Sequence, residues 1–106
     1  MRIRPKDSSL KKLFNEVHLP KPIIAGNWKM NGNEKLLYDM VANLSKISTS
    51  ANIVLCVPYT LLYALEESAE NSNIGIGSQN VHHEISGAFT GEISVEQLRE
   101  FSVQYC

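Results

Sequence analysis

The sequence lacks the features that mark membrane, nucleic-acid-binding and low-complexity proteins. No apolar run approaches the roughly 18 residues of a membrane-spanning helix. The chain has 10 basic and 11 acidic residues and a net charge of −1, so its charge gives no support for binding nucleic acid or anionic lipid. Low-complexity segments and internal repeats are missing too. With 106 residues, 43% of them hydrophobic, the chain has the composition of one small globular domain.

Cysteine is also scarce, and Cys56 and Cys106 are the only two. Their wide separation argues against a disulfide scaffold or a zinc site and fits a reducing compartment. Cys56 lies inside an apolar run, so we expect a buried structural thiol. The adjacent His82 and His83 do not readily face one ion, so we predict no metal there. We expect both histidines to be exposed to solvent or to make interface contacts.

Residues 1–20 are predicted to be an N-terminal extension, either an amphipathic helix or a disordered segment. Apolar residues recur there at helical spacing, and Pro20 stops the pattern. Five basic residues against two acidic ones make organelle targeting a weaker alternative to a plain, poorly ordered extension. The apolar positions are Leu10, Leu13, Phe14 and Val17.

Residues 21–106 alternate between strand and helix patterns. Apolar runs at 23–25, 53–57 and 74–77 predict strands, the first two buried as in a parallel sheet. Helical periodicity predicts helices over 33–47, 59–69 and from Ser94 onward, with a long irregular stretch over 81–92. The expected helix caps are Asn33 and the Ser94–Gln97 capping box. The expected buried positions on the helices are Leu37, Met40, Val41, Leu44, Ile47, Leu61, Leu62, Leu65, Val95, Leu98 and Phe101.

This order, β-α-β-α-β-loop-α, requires parallel strands joined by right-handed crossovers. It is typical of an α/β fold. The pattern alone does not separate the start of a (β/α)8 barrel from half of a doubly wound sheet.

Polar residues follow the first predicted strand directly. Asn27, Lys29 and Asn31 alternate with Trp28 and Met30, whose side chains we expect to point away from the polar ones and to pack. The carboxyl ends of parallel strands are where α/β enzymes build their sites. Spacing alone favours a surface loop with a solvated lysine.

Two motifs resemble triosephosphate isomerase. Residues 27–32, NWKMNG, after a strand that ends in Ala25-Gly26, resemble the first active-site loop of that family. The sequence GSQN at 77–80, followed by GAFTGEIS at 87–94, resembles its third strand and the long loop after it. The resemblance covers about residues 21–106. It implies a TIM (β/α)8 barrel, truncated after the third β/α unit.

The resemblance also implies roles for individual residues. Lys29 would be catalytic and bind substrate, because its ammonium attracts the anionic substrate and stabilises an enediolate. Asn27 would bind substrate and hold the lysine, and Gln79 would support the loop. The implied reaction is the interconversion of dihydroxyacetone phosphate and D-glyceraldehyde 3-phosphate in glycolysis and gluconeogenesis, with no cofactor and no metal.

The resemblance further implies a cytoplasmic homodimer, with triose phosphate as substrate and neither nucleic acid nor membrane as partner. Thr90 would reach the partner subunit's Asn27, although a mobile surface loop is the alternative for residues 87–91. The implied dimer-interface residues are Met30, Phe89, Thr90, Gly91 and Glu92.

The family's catalytic histidine and glutamate base have no counterpart in this sequence, which we expect to end before a fourth strand begins. Glu66, Glu67 and Glu70 are predicted to lie on a solvated helix face. We therefore expect the 106-residue chain to be inactive by itself, because proton abstraction needs a base within reach of the carbon acid. The alternative is a short non-catalytic protein that binds a full-length isomerase subunit through the third loop.

Overall fold

The computed structural model describes residues 20–106, and the amphipathic helix predicted before Pro20 lies outside this range. The described part contains a three-stranded sheet, three helices and a short 3-10 turn. The strands are β1 (Ile23–Asn27), β2 (Asn52–Val57) and β3 (Ile74–Ser78). The helices are α1 (Glu34–Leu44), α2 (Leu62–Ala69), which follows the 3-10 turn Tyr59–Leu61, and α3 (Val95–Arg99).

All three strands run parallel in the order β1-β2-β3. In the register, Leu55 of β2 lies between Gly26 of β1 and Ile76 of β3. Helices connect the strands, as the alternating pattern predicted, so the α/β fold class is confirmed. Among the described helices, none is long and apolar enough to cross a membrane.

The core lies between strands β2 and β3 and the helices α1, α2 and α3. Leu37 of α1, Leu65 of α2 and Leu98 of α3 all point into it, as predicted. The capping predictions are also confirmed. The Asn33 side chain accepts a hydrogen bond from the Leu36 amide at 2.9 Å, and Ser94 and Gln97 form a reciprocal capping box.

The prediction that β1 is buried is wrong. Ile23 is 56% exposed and Ile24 is 60% exposed. β1 is an edge strand that hydrogen-bonds only to β2, and α1 packs mainly against α2. Within residues 20–106, no second layer therefore covers the apolar faces of β1.

Three helix positions predicted to be buried are exposed as well. Met40 and Ile47 of the first helical pattern are exposed, because α1 ends at Leu44 and turns only Leu37 and Val41 fully into the core. Val95 is exposed because it opens the short helix α3, which buries only Leu98.

The chain returns to the sheet after α3. Tyr105 forms a parallel bridge with Gly77 of β3, and its carbonyl accepts a hydrogen bond from the Ser78 amide at 3.0 Å. The Gln104 amide donates to the Ile76 carbonyl at 2.9 Å. Within residues 20–106 this pairing is an isolated bridge and not a fourth strand. A five-residue helix and a left-handed turn at Ser102 (φ 53°) bring the chain back within a few residues.

Candidate active site

The loop after β1 is held in one conformation by two asparagine side chains. Oδ1 of Asn27 accepts a hydrogen bond from the Lys29 amide at 2.9 Å, and Nδ2 of Asn31 donates to the Trp28 carbonyl at 3.0 Å. Lys29 has a left-handed backbone (φ 55°), which costs a non-glycine residue roughly 1–2 kcal/mol. These local bonds offset that cost and keep the lysine at the carboxyl end of the sheet.

Gln79 links this loop to the other two strands. Its Nε2 donates to the Lys29 carbonyl at 2.8 Å and to the Cys56 carbonyl at 3.2 Å. The polar ends of β1, β2 and β3 therefore meet, as expected for parallel strands. Lys29 is exposed, and within residues 20–106 no carboxylate forms a salt bridge with its ammonium. That leaves a cation accessible to an anionic ligand.

The two residues that flank Lys29 differ from each other. Trp28 packs against the hydrophobic core, as predicted, and leaves no room at position 32: a Cβ added to Gly32 would lie 2.5 Å or less from its ring. Met30 is 96% exposed, so the prediction that it packs is wrong for the described chain. Unlike the Trp28 side chain, the Met30 side chain does not pack against the hydrophobic core.

The long stretch after β3 is irregular, as predicted, and is closed at its base. The His82 amide donates to the Ile93 carbonyl at 2.8 Å. At the start of this stretch, the Tyr59 hydroxyl donates to the Asn80 carbonyl at 2.7 Å and also contacts the Asn80 side-chain oxygen. Burial raises the pKa of Tyr59, and nearby Cys106 and Glu92 raise it further. No local pattern in the sequence indicates this contact, because Tyr59 and Asn80 are 21 positions apart.

The tip of this loop folds back onto its own base. The Phe89 ring lies 4.4 Å from the His82 ring, and a Cβ at Gly87 would approach the Phe89 ring to 2.7 Å. The Glu92 carboxylate lies 3.7 Å from Nδ1 of His82. Thr90 and Gly91 (φ 90°) remain exposed at the tip.

The two histidines have different surroundings. Only 18% of the His82 side chain is exposed, because it packs under Phe89, so an exposed His82 is not what the structure shows. His83 is exposed, as predicted. Within residues 20–106, no group of three or more histidine, cysteine, aspartate or glutamate side chains could hold a metal ion.

Two other predictions from the sequence need adjustment. Cys56 is half-buried rather than buried; its Sγ lies over Gly77, and burial followed by the nearby Cys106 raises its pKa. Glu67 and Glu70 are exposed, as predicted, whereas Glu66 is half-buried and accepts a hydrogen bond from the Ser102 hydroxyl at 2.6 Å.

Comparisons with known proteins agree with this architecture. The family model for triosephosphate isomerase matches residues 22–106. The chain is 41% identical over 87 residues to the triosephosphate isomerase of Alkaliphilus oremlandii, covering 80% of this chain and 35% of that protein. It is 46% identical over 85 residues to the triosephosphate isomerase of Clostridium botulinum (strain Loch Maree), covering 78% and 34%.

A solved structure gives the same result. The crystal structure of triosephosphate isomerase from Bartonella henselae superposes with a TM-score of 0.70 at 37% identity, covering 79% of this chain and 35% of that one. The chain thus spans about a third of the length of the relatives that it matches. With its parallel sheet and the polar loops at the strand ends, the chain belongs to the triosephosphate isomerase family.

Proposed function

We propose that this chain contributes Asn27 and Lys29 to a site that interconverts dihydroxyacetone phosphate and D-glyceraldehyde 3-phosphate. One observation carries the proposal. The Lys29 carbonyl is held by Gln79 at 2.8 Å in a left-handed backbone conformation, which supports a lysine with a fixed place at the strand ends. Gln79 is the supporting residue in this arrangement.

The chemistry fits a fixed ammonium. Proton transfer between adjacent carbons of a triose phosphate passes through an enediolate, whose negative charge develops beside a phosphate dianion. A preorganised cation stabilises that charge without reorganising at the moment of reaction. Lys29 is the catalytic residue and binds substrate, and Asn27 holds the Lys29 amide and contacts the substrate. The shift is intramolecular, so neither a cofactor nor a metal is part of the proposal.

We assign the described residues to a TIM (β/α)8 barrel. Residues 21–106 supply its first three β/α units, and residues 1–20 are an N-terminal extension. The whole barrel would act in the cytoplasm, in glycolysis and gluconeogenesis. We expect the 106 residues by themselves to have no activity, because the family's histidine and glutamate base have no counterpart in the sequence.

We further propose that the loop after β3 is a homodimer interface. Its tip is held by the contact between Phe89 and His82, and its exposed residues are available to a second subunit. Exposed Met30, beside Lys29, would lie at the same interface. The proposed contact residues are Met30, Phe89, Thr90, Gly91 and Glu92.

The same exposed tip supports a second candidate function. A short isomerase-like protein could bind a full-length subunit through this loop without catalysing the reaction. Size-exclusion chromatography of the chain with a full-length isomerase tests this candidate. If the two proteins do not co-migrate and the enzyme is not inhibited, the candidate is excluded.

A coupled isomerase assay tests the catalytic proposal. The purified chain should show no rate above its Lys29→Ala variant. A chimera in which residues 22–106 replace the matching third of the Alkaliphilus oremlandii protein then tests the role of Lys29. There, Lys29→Ala should lower kcat about 10²–10³-fold, the usual loss when one preorganised donor is removed.

Lys35→Ala is the matched control, because Lys35 forms only an exposed pair with Asp39 on α1. It should leave the rate of the chimera unchanged. Circular dichroism and the oligomeric state verify that each chimera is folded. A folded chimera whose rate survives Lys29→Ala would overturn the assignment of Lys29.

A further inference from the structure

Tyr59 joins two loops that are far apart in the sequence. It directly follows Pro58, which ends β2, so its ring lies at the same end of the sheet as Lys29 and Gln79. Its hydroxyl donates to the Asn80 carbonyl at 2.7 Å and contacts the Asn80 side-chain oxygen. Both oxygens belong to the residue that opens the loop after β3.

Asn80 is adjacent to the residue that supports the lysine loop. Gln79 donates from Nε2 to the carbonyls of Lys29 and Cys56, at 2.8 and 3.2 Å. The direction of the Gln79 side chain depends on the backbone at positions 79 and 80. A phenol that anchors Asn80 therefore limits where the Gln79 amide can point.

We propose that Tyr59 is a positioning residue, whose hydroxyl anchors Asn80 and, through Gln79, holds the Lys29 loop in its left-handed conformation. The proposal rests on the function proposed for Lys29 above. The contacts themselves are independent of that function, so the two can be tested apart.

The charges around Tyr59 favour its protonated, donating form. Cys106 and Glu92 lie near the phenol and, after burial, raise its pKa. Glu96 of α3 and Glu100, which caps the end of α3, line the same apolar cavity beside the ring. All four groups are neutral or negative, so none stabilises a phenolate. Ionised Tyr59 would also face two acceptor oxygens of Asn80, and the contact would be lost at alkaline pH.

Trp28 allows a test that needs no turnover. It is the only tryptophan in the chain, and it precedes Lys29 in the loop. In the 106-residue chain, Tyr59→Phe removes only the hydroxyl, and we expect the acrylamide quenching constant of Trp28 to rise about twofold as one anchoring hydrogen bond is lost. Tyr63→Phe is the matched control, because Tyr63 is 67% exposed on α2, and it should change nothing.

A pH profile separates anchoring from a general loss of stability. In the wild-type chain, quenching of Trp28 should rise only at a pH above the ordinary range of a tyrosine pKa, as the Tyr59 phenol, whose pKa burial raises, ionises. The step should be absent from Tyr59→Phe, in which quenching is already high at neutral pH. Quenching of Tyr59→Phe equal to that of Tyr63→Phe, or an alkaline step that persists in Tyr59→Phe, would overturn the proposal.

If Tyr59→Phe does not fold, Asn80→Ala tests instead whether the contact between Tyr59 and Asn80 anchors the loop. This variant keeps the carbonyl acceptor and loses the side-chain oxygen, so a smaller rise in quenching is expected, and no rise would contradict the anchor. The quenching experiment and the isomerase assay on the chimera can fail independently of each other. If Lys29 is dispensable there and Trp28 still responds to Tyr59→Phe, the loop anchor stands and the catalytic proposal fails.

Discussion

β1 and β2 each carry an apolar run, at 23–25 and at 53–57, but have different surroundings. Both are continuous apolar runs, yet Leu55 of β2 is 4% exposed, whereas Ile24 of β1 is 60% exposed. β2 pairs with a strand on each side and is covered by the helices, while β1 pairs only with β2. An apolar run thus indicates a strand suited to burial, but its neighbours in the fold supply that burial.

The largest expected effect is the difference in stability between alanine variants of β2 and of β1. Leu55→Ala should lower the free energy of unfolding by about 2–5 kcal/mol, since it opens a cavity in a packed core. Ile24→Ala should lower it by less than about 1 kcal/mol, because most of that side chain is already in water. Urea unfolding of both variants measures the difference. Equal losses would mean that β1 is covered in solution.

Gly77 of β3 and Gly26 of β1 differ in the space available for a side chain. A Cβ at Gly77 of β3 would lie 2.5 Å from the Cys56 Sγ and 3.3 Å from the Leu55 carbonyl oxygen. Gly77→Ala should therefore destabilise by about 1–3 kcal/mol through overpacking. A Cβ at Gly26 of β1 comes no closer than 3.5 Å to Leu55.

Gly26→Ala is the matched control for Gly77→Ala. It should leave stability unchanged or raise it by up to about 1 kcal/mol, because alanine restricts the unfolded chain. Thermal unfolding compares the two variants. A loss at Gly26 as large as that at Gly77 would contradict the open packing of β1.

A third prediction concerns a defect within the packed region. Ser78 is 1% exposed, and among the described residues its hydroxyl has no hydrogen-bond partner. Ser78→Ala should raise the free energy of unfolding by about 1 kcal/mol, since it removes an unsatisfied buried group. Ser94→Ala should instead lose about 1 kcal/mol, because the Ser94 hydroxyl accepts from the Gln97 amide. A destabilised Ser78→Ala variant would indicate a partner for that hydroxyl.

The smallest expected effect is a shift in the pH at which the Cys56 thiol reacts. Burial, followed by the nearby Cys106, raises the pKa of Cys56, so the folded chain holds that proton more tightly than the unfolded chain does. The resulting stability is fully present below the unfolded pKa and is lost as pH rises through the folded pKa. Alkylation of Cys56 in a Cys106→Ser background should therefore have its midpoint above that of an unfolded control. A midpoint at or below that of the control would exclude this environment.

Much of the local structure followed from the sequence. The three strands, the Asn33 cap and the Ser94–Gln97 capping box depend on neighbouring residues, and each was predicted to within a few positions. The contacts of the candidate site were harder to predict. Gln79 and Lys29 are 50 residues apart, and their hydrogen bond exists only because parallel strands bring their carboxyl ends together.

The order of strands and helices, the capped helix starts and the polar residues after β1 and β3 could all be predicted from the amino-acid sequence. These depend on side-chain chemistry and short-range spacing. Three features could be seen only in the folded chain: β1 is an exposed edge, Tyr59 contacts Asn80, and Tyr105 returns to pair with β3. Each of these outcomes depends on which segments lie side by side, and packing sets that over distances that no local pattern encodes.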